Sequence, residues 1–470
     1  MDPLTWTGSV GPLLNPVFLT AASVLGIAIV AQILLSLVPS PHTRTGPMTL
    51  AATRSPADYA ALGVKWSFGF LVVTALAYLV AGILQPTMPA KGIMGGVATR
   101  FLPVWIGMIA VFALSLTFKR RLGLYGKLFD SPIGMIGFAI VLFWVFTALF
   151  ADLVITHDPL RQVSGMKNAL PGSPMPDGST AYPFYLFGGD NLARDVFSRM
   201  VMGARQVLII APAATLFAFM VGITLGLPAG YFGGRLDTFL SFLANLVLAF
   251  PVILLFYLLV TPEIRVTGIP TILAAVLFLF PIVFLIVLFN SRYFTQPAKR
   301  NLYVAITLVL GLWAYSGLAF NMDPLGVWGM DPNLLNVFVA VVFVNAPTVF
   351  RIVRGIVLDI RSRDYVAAGQ TRGEGPWYIM LWEMLPNARG PLIVDFCLRI
   401  GYTTILLGTL GFFGLGVSPE SPDWGSTIND GRRLLSIYPH PAIVPAVALM
   451  SLVLGLNLLA DGLREESLRD

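Results

Sequence analysis

Charge is what this chain has least of. Of its 470 residues only 11% are Asp, Glu, Lys or Arg, while 56% are hydrophobic. A soluble domain carries about 25% charged residues, so this chain cannot cover a water-facing surface. Cysteine is nearly absent: Cys397 stands alone, which excludes an intramolecular disulfide and a cysteine-cluster metal site. His42, His157 and His440 fall in separate loops without ligand spacing, so no metal centre is expected. There is no Gly-x-x-x-x-Gly-Lys-Ser/Thr phosphate loop, no nucleophile elbow and no His-Glu-x-x-His helix. The expectation is a chain that binds no cofactor of its own and carries out no bond chemistry. The N-terminal stretch also lacks the basic region of a cleavable signal peptide, so the apolar run Pro16–Val38 is expected to be retained.

Long apolar runs are what the chain has in quantity. Stretches of about 18 or more apolar residues read as membrane-spanning helices, and they recur at about eleven places. These are approximately Val17–Val38, Trp66–Leu84, Phe101–Phe118, Ile133–Ile155, Val207–Tyr231, Phe239–Val260, Ile269–Phe289, Leu302–Phe320, Leu334–Phe350, Leu392–Phe413 and Ala442–Leu459. The predicted class is an all-α polytopic membrane protein. The net charge of +6 would elsewhere suggest nucleic acid, but here the basic residues lie between apolar spans. That is an orientation signal for a membrane protein, with no nucleic-acid partner implied.

The basic loops agree on one orientation. Lys119, Arg120, Arg121 and Lys127 form one, Arg292, Lys299 and Arg300 a second. Arg351, Arg354, Arg361, Arg363, Arg372 and Arg389 form the third and longest. An even number of spans separates each pair, so all three fall in the cytoplasm together, with the N-terminus outside and the C-terminus inside. Arg194, Arg199 and Arg205 then lie on the outer side, where an amphipathic segment along the membrane surface is expected. The loop His157–Asp190, rich in Pro, Gly and Ser, reads as irregular chain on the outer face or as a plain connector.

Ionisable residues inside spans mark ion-coupled transporters. Asp395 and Arg399 fall there, four apart on one helix face, and a self-neutralised local pair is the expected reading, with a gating role as the sharper alternative. Tyr402, Thr403, Thr404 and Thr409 on the same span are polar candidates for lining a pathway, although Ser and Thr in such helices commonly bond their own backbone.

The most informative segment lies between the ninth and tenth spans. Its spacing predicts two short helices, the first over about Ser362–Thr371 with the small residues Ala367, Ala368 and Gly369 on its surface. Gly373 and Gly375 break it, Pro376 opens the second helix, and Pro386 ends it. A pair of short helices outside the bilayer with exposed Trp377, Tyr378 and Trp382 is suited to docking in another protein's groove.

Here the sequence resembles the permease signature of bacterial ATP-binding-cassette importers, with Gly373, Leu385 and Pro386 matching in spacing. Asp364-Tyr365-Val366-Ala367-Ala368 resembles the dipeptide/oligopeptide/nickel branch. So do Phe187–Arg199, Gly203-Ala-Arg205, Gly230–Asp237, Leu248–Pro251, Leu410–Gly416, Pro422–Gly425 and Asn457–Arg464, so that the likeness covers roughly Ser131–Arg464. Within that branch the chain is similar to the C-type subunit.

The resemblance implies a set of partners: a B-type permease in a heterodimer, two cytoplasmic ATPases that hold ATP and Mg, an external substrate-binding protein, and membrane lipid. It assigns ATPase coupling to Asp364, Tyr365, Ala367, Ala368, Gly369, Gly373, Trp377, Leu385 and Pro386. Three departures stand out. Ala367 occupies the signature glutamate position, about 120 residues with three spans precede the core, and about Thr261–Pro332 inserts two more. The expected divisions are therefore 1–125, an N-terminal extension; 126–260, the first part of a six-helix core with an outer loop over 156–205; 261–332, the inserted pair; and 333–470, the second part, with a coupling loop over 351–390. Peptides are the first-choice cargo, with nickel chelates, opines, peptide antibiotics and oligosaccharides open. A gradient-driven secondary transporter and a non-transporting scaffold are the competing readings.

Overall fold

The computed structural model describes residues 2–37, 56–176, 182–415 and 421–467; His42, Val38 and Gly416 fall outside them. In hydrocarbon every backbone N–H needs a partner within its own segment, so apolar runs of this length close into helices. In chain order these are α1 (Gly11–Ser36), α2 (Pro56–Leu84), α3 (Met88–Arg100), α4 (Leu102–Phe118) and α5 (Pro132–Leu149). A two-stranded antiparallel ribbon follows, β1 (Ser173–Pro174) with β2 (Phe184–Tyr185). The chain continues through α6 (Val196–Phe232), α7 (Gly234–Leu248), α8 (Val252–Val260), α9 (Ile269–Leu277), α10 (Leu279–Arg292), α11 (Pro297–Phe320) and α12 (Pro332–Ile360). Then come α13 (Asp364–Thr371), a helical run over residues 376–387 designated α14, and α15 (Arg389–Phe412), α16 (Trp424–Arg432) and α17 (His440–Ser467).

Among the described residues ten helices are long and apolar enough to cross a membrane, and α7 with α8 makes an eleventh if a 79° bend is allowed. That bend falls inside the expected span Phe239–Val260. Pro251 stands at the break: it offers no N–H to the preceding turn and pushes Phe250 out of helical geometry. The helix α3 is not among the expected elements, because its hydrophobic run is too short and too rich in glycine to register.

The chain forms two compact units, Met1–Leu102 with Gln162–Phe197, and Pro103–Arg161 with Ser198–Asp470. The third expected N-terminal span, α4, thus groups with the second unit, and most of the expected outer loop with the first. In the first unit α2 and α3 approach closely at Gly82 and Gly95: a Cβ on Gly82 would lie 2.7 Å from Gly95 Cα. Tyr78 of α2 hydrogen-bonds Asn15 of α1.

In the second unit α6 and α12 define the packing. Gly222, Gly226 and Gly230 fall every fourth residue on α6, opposite Val349, Val353 and Val357 at the same spacing on α12. A Cβ on these glycines would meet the valine side chains at 2.5, 2.9 and 2.7 Å respectively. Small-residue stripes of this kind let membrane helices come within backbone contact, where dispersion replaces the missing hydrophobic force. The helices α5 and α17 meet the same way, a Cβ on Gly137 falling 2.3 Å from Leu459 N. The expected inserted pair is built into this unit: Ala274, Leu277, Phe278 and Ala319 share a buried cluster with Ala214, Ala218 and Val221 of α6 and Val337–Val342 of α12.

The expectation of a surface-lying amphipathic segment around Arg194–Arg205 is not met. Arg194 pairs with Asp190 at 2.7 Å with both side chains buried. Arg199 and Arg205 lie within the continuous helix α6. Arg199 is fully buried and donates to Thr427 Oγ1 at 3.0 and 3.2 Å and to the Ser421 carbonyl at 3.3 Å. Arg205 forks onto Asp152 at 2.9 and 2.8 Å. Protein partners hold all three, so they carry no information on membrane contact.

Gly226→Ala places a methyl against Val353 that the close helix pair has no room for. A loss of about 1–3 kcal/mol is expected, read as a lower thermal midpoint of the lipid-embedded protein. Combining it with Val353→Ala should recover most of the loss, whereas Gly63→Ala, where a Cβ meets nothing within 4 Å, should leave stability unchanged.

Candidate functional site

The segment between α12 and α15 is anchored before it turns. Near the end of α12, Arg354 forks onto Asp237 of α7, one arm at 2.6 Å. Arg361 reaches the Gly230 carbonyl at 3.4 Å, and Gln370 of α13 donates to the Tyr231 hydroxyl at 3.1 Å. The Gly230–Asp237 block, far away in sequence, therefore ties down the end of α12 and, through Tyr231, also meets α13.

The corner after α13 depends on Gly373. Its φ of +74° lies in the left-handed region, where L side chains are disfavoured. The Gly373 N–H donates to the Gln370 carbonyl at 3.0 Å and the Glu374 N–H to the Gly369 carbonyl at 3.2 Å, closing the helix with a Schellman cap. Arg372 spans the corner to Glu383 at 2.6 Å. Beyond it α14 opens at Pro376, widens into a π-helical stretch at Ile379–Met384, and continues through Leu385–Asn387. Pro386 therefore does not end this helix, as expected from its type; the break falls at Ala388. Proline lacks an N–H for the Trp382 carbonyl and crowds it, and the wider turn just before it accommodates the ring.

The two short helices are seated on the membrane helices. Val366 of α13 and Ile379, Met380, Leu381 and Met384 of α14 are buried in one apolar cluster with Phe219 and Leu227 of α6, Val349, Val353 and Val357 of α12, and Leu392 of α15. Tyr365 and Leu385 pack against its edge, and burial pushes the Tyr365 phenol above its ordinary range. Asp364, Ala367, Ala368, Gly373, Trp377 and Pro386 remain exposed. Three of the expected surface groups are placed otherwise. Gly369 is buried, a Cβ there falling 3.4 Å from Ile379 Cγ1, and Trp382 is half-buried with its indole N–H bonded to Ser291 of α10 at 3.1 Å. Tyr378 is half-buried as well.

Within the bilayer region Asp395 and Arg399 of α15 pair at 2.8 Å. Sequence reasoning missed their third partner. Asn345 of α12 accepts from Arg399 at 3.4 Å and donates to the Val341 carbonyl at 3.0 Å and to Thr403 Oγ1 at 3.4 Å. Thr403 in turn meets Thr215 of α6 at 3.5 Å. A polar seam thus links α6, α12 and α15, and a lone Asn in an apolar run was its one signal. Of the four pathway candidates, Thr404 and Thr409 donate to their own helix carbonyls at 2.8 Å each, Thr403 belongs to the seam, and Tyr402 alone is well exposed, at 58%.

Asp395→Ala leaves the Arg399 guanidinium buried without its carboxylate, at an expected cost of about 3–5 kcal/mol. Replacing both, as Asp395→Ala with Arg399→Leu, is expected to cost less than the single change, because no unpaired charge is then buried. Thermal unfolding in lipid nanodiscs compares them, and equal losses for the single and double variants would refute this account of the pair.

Residues 222–465 match the family described as binding-protein-dependent transport system inner membrane component. The chain is 31% identical over 278 residues to the glutathione transport system permease protein GsiD of Pectobacterium atrosepticum, covering 59% of this chain and 70% of that protein. It is 27% identical over 341 residues to the dipeptide transport system permease protein DppC of Alkalihalophilus pseudofirmus, 73% of this chain and 87% of that protein. It is 28% identical over 329 residues to the di/tripeptide transport system permease protein DppC of Pseudomonas aeruginosa, 70% of this chain and 85% of that protein. The matched region contains both short helices, the Gly230–Asp237 block, α12 and the end of α6 that carries Gly222, Gly226 and Gly230. The chain therefore belongs to the binding-protein-dependent inner-membrane transport components, as a C-type permease subunit of an ATP-driven bacterial importer.

Proposed function

We propose that this chain supplies half of a translocation pathway for peptides or similar small solutes, and that α13 and α14 receive the ATPase. One observation carries the reading: the two helices share a buried apolar cluster with α6, α12 and α15. Interiors packed at crystal-like density transmit displacement with little loss. A push on the exposed face around Asp364, Ala367, Ala368, Gly373, Trp377 and Pro386 therefore reaches three membrane helices at once.

In this reading the ATPase holds ATP and Mg, and the chain itself contributes mechanics and no bond chemistry. A B-type permease completes the pathway, and an external binding protein delivers cargo. The basic residues of the α12–α15 segment support a cytoplasmic position for it, with the N-terminus outside and the C-terminus inside. With Ala367 at the signature position, the exposed carboxylate of Asp364, three residues earlier on α13, offers an acidic group for a basic ATPase residue. The glutathione and peptide names of the relatives support a small peptide as cargo.

The test uses the complete transporter in proteoliposomes. Gly373→Val, which forces a β-branched residue to φ +74°, and Leu385→Ala are each expected to lower uptake per ATP hydrolysed severalfold. Uptake by this chain without nucleotide hydrolysis would overturn the reading.

A further inference from the structure

The inserted helices reach the proposed ATPase contact itself. At the end of α10, Ser291 is buried and donates its own proton to the Leu288 carbonyl at 2.9 Å. That leaves an oxygen lone pair for the Trp382 indole N–H, which approaches to 3.1 Å. The next residue, Arg292, sets its guanidinium 4.7 Å from the centroid of the same indole, within cation–π range. One turn and two turns back, Phe284, Val287 and Leu288 pack on the cluster that contains Ile379, Met380, Leu381 and Met384 of α14.

This end of α10 is itself stiffened. Tyr303 of α11 stacks on Phe289 at 5.3 Å and on Tyr293 at 5.0 Å between ring centroids, with interplanar angles of 20° and 22°. A cleft of about 670 Å³ is lined by residues 290–292, Phe294 and Thr295 on one side and by Gly373–Tyr378 on the other, so α10 borders the corner as well as the body of α14.

We propose that the inserted pair α9–α11 braces the coupling apparatus, with Ser291 and Arg292 as positioning residues that hold α14 through Trp382. A short helix pushed at its leading end can either carry the displacement forward or rotate about its own contacts. The bond to Ser291 and the cation over the ring fix the middle of α14, so movement at the Gly373 corner passes into α15. This rests on the assignment of α13 and α14 as the ATPase contact.

The experiment measures uptake per ATP hydrolysed by the complete transporter in proteoliposomes, with ATPase co-purification and thermal midpoint recorded for each variant. Ser291→Ala removes only the acceptor, and Trp382→Phe removes only the donor while keeping a ring beneath Arg292. Each is expected to lower uptake per ATP by about two- to tenfold, the range of one hydrogen bond, with co-purification and midpoint unchanged. Because both remove the same bond, the double variant should be no worse than the poorer single one. Arg292→Gln should lower coupling as well.

Wild-type coupling in Ser291→Ala and Trp382→Phe, alongside loss in Gly373→Val, overturns the brace and leaves the ATPase contact standing. Multiplicative losses in the double variant overturn it too. Wild-type coupling in Gly373→Val overturns the ATPase assignment, and the brace with it. Ser291→Ala is the mild change that keeps the question decidable if Trp382→Phe lowers the midpoint.

Discussion

The structure depends on the contact between α6 and α12. Three glycines every fourth residue on one helix face three valines at the same spacing on the other, with no space for even a methyl group between them. In lipid no hydrophobic force drives helices together, so association rests on close packing. The interface also sets where everything else can go. The ends of α6 and α12 that it brings together present Gly230, Tyr231, Arg354 and Arg361: Arg354 and Arg361 tie α12 to Asp237 and Gly230, and Tyr231 receives Gln370 of α13.

From that contact two different materials extend. Towards α13 and α14 the packing is apolar, a single cluster running from the short helices into α6, α12 and α15. Within the membrane helices the same three elements are joined by a polar seam of Asp395, Arg399, Asn345, Thr403 and Thr215. The apolar cluster resists shear through packing, while the seam holds register because its bonds are satisfied in only a few arrangements. Together they make the three helices and the short pair one mechanical body, which is what a subunit that receives force and makes no bonds requires. The insert joins this body at both α12 and α14.

The long helices were legible because composition alone decides them: an apolar run of that length has no other way to satisfy its backbone in lipid. Ten of the eleven expected spans correspond to continuous candidate spans, and the eleventh is the bent pair α7–α8. The corner at Gly373 was legible too, from glycine and proline placement. Gly369, Tyr378 and Trp382 were misplaced as surface groups because a helix of eight to twelve residues shows no period strong enough to say which face is covered. Arg194, Arg199 and Arg205 were misread because their partners, Asp190, Thr427, Ser421 and Asp152, are set by folding. For Arg199 the sequence separation exceeds 200 residues.

By itself the sequence determined that this is an all-helical membrane protein, roughly where its helices run, and which motif marks its family. Those follow from local chemistry: hydrocarbon length, helix breakers and a contiguous pattern of residues. The tertiary structure decided what the inserted residues 261–332 touch, that Asn345 completes the Asp395–Arg399 pair, and which side of the short helices stays open. These depend on residues far apart in the chain meeting across α6, α12 and α15, and a one-dimensional pattern carries no record of such meetings until the close approach of glycine and valine stripes brings the backbones together.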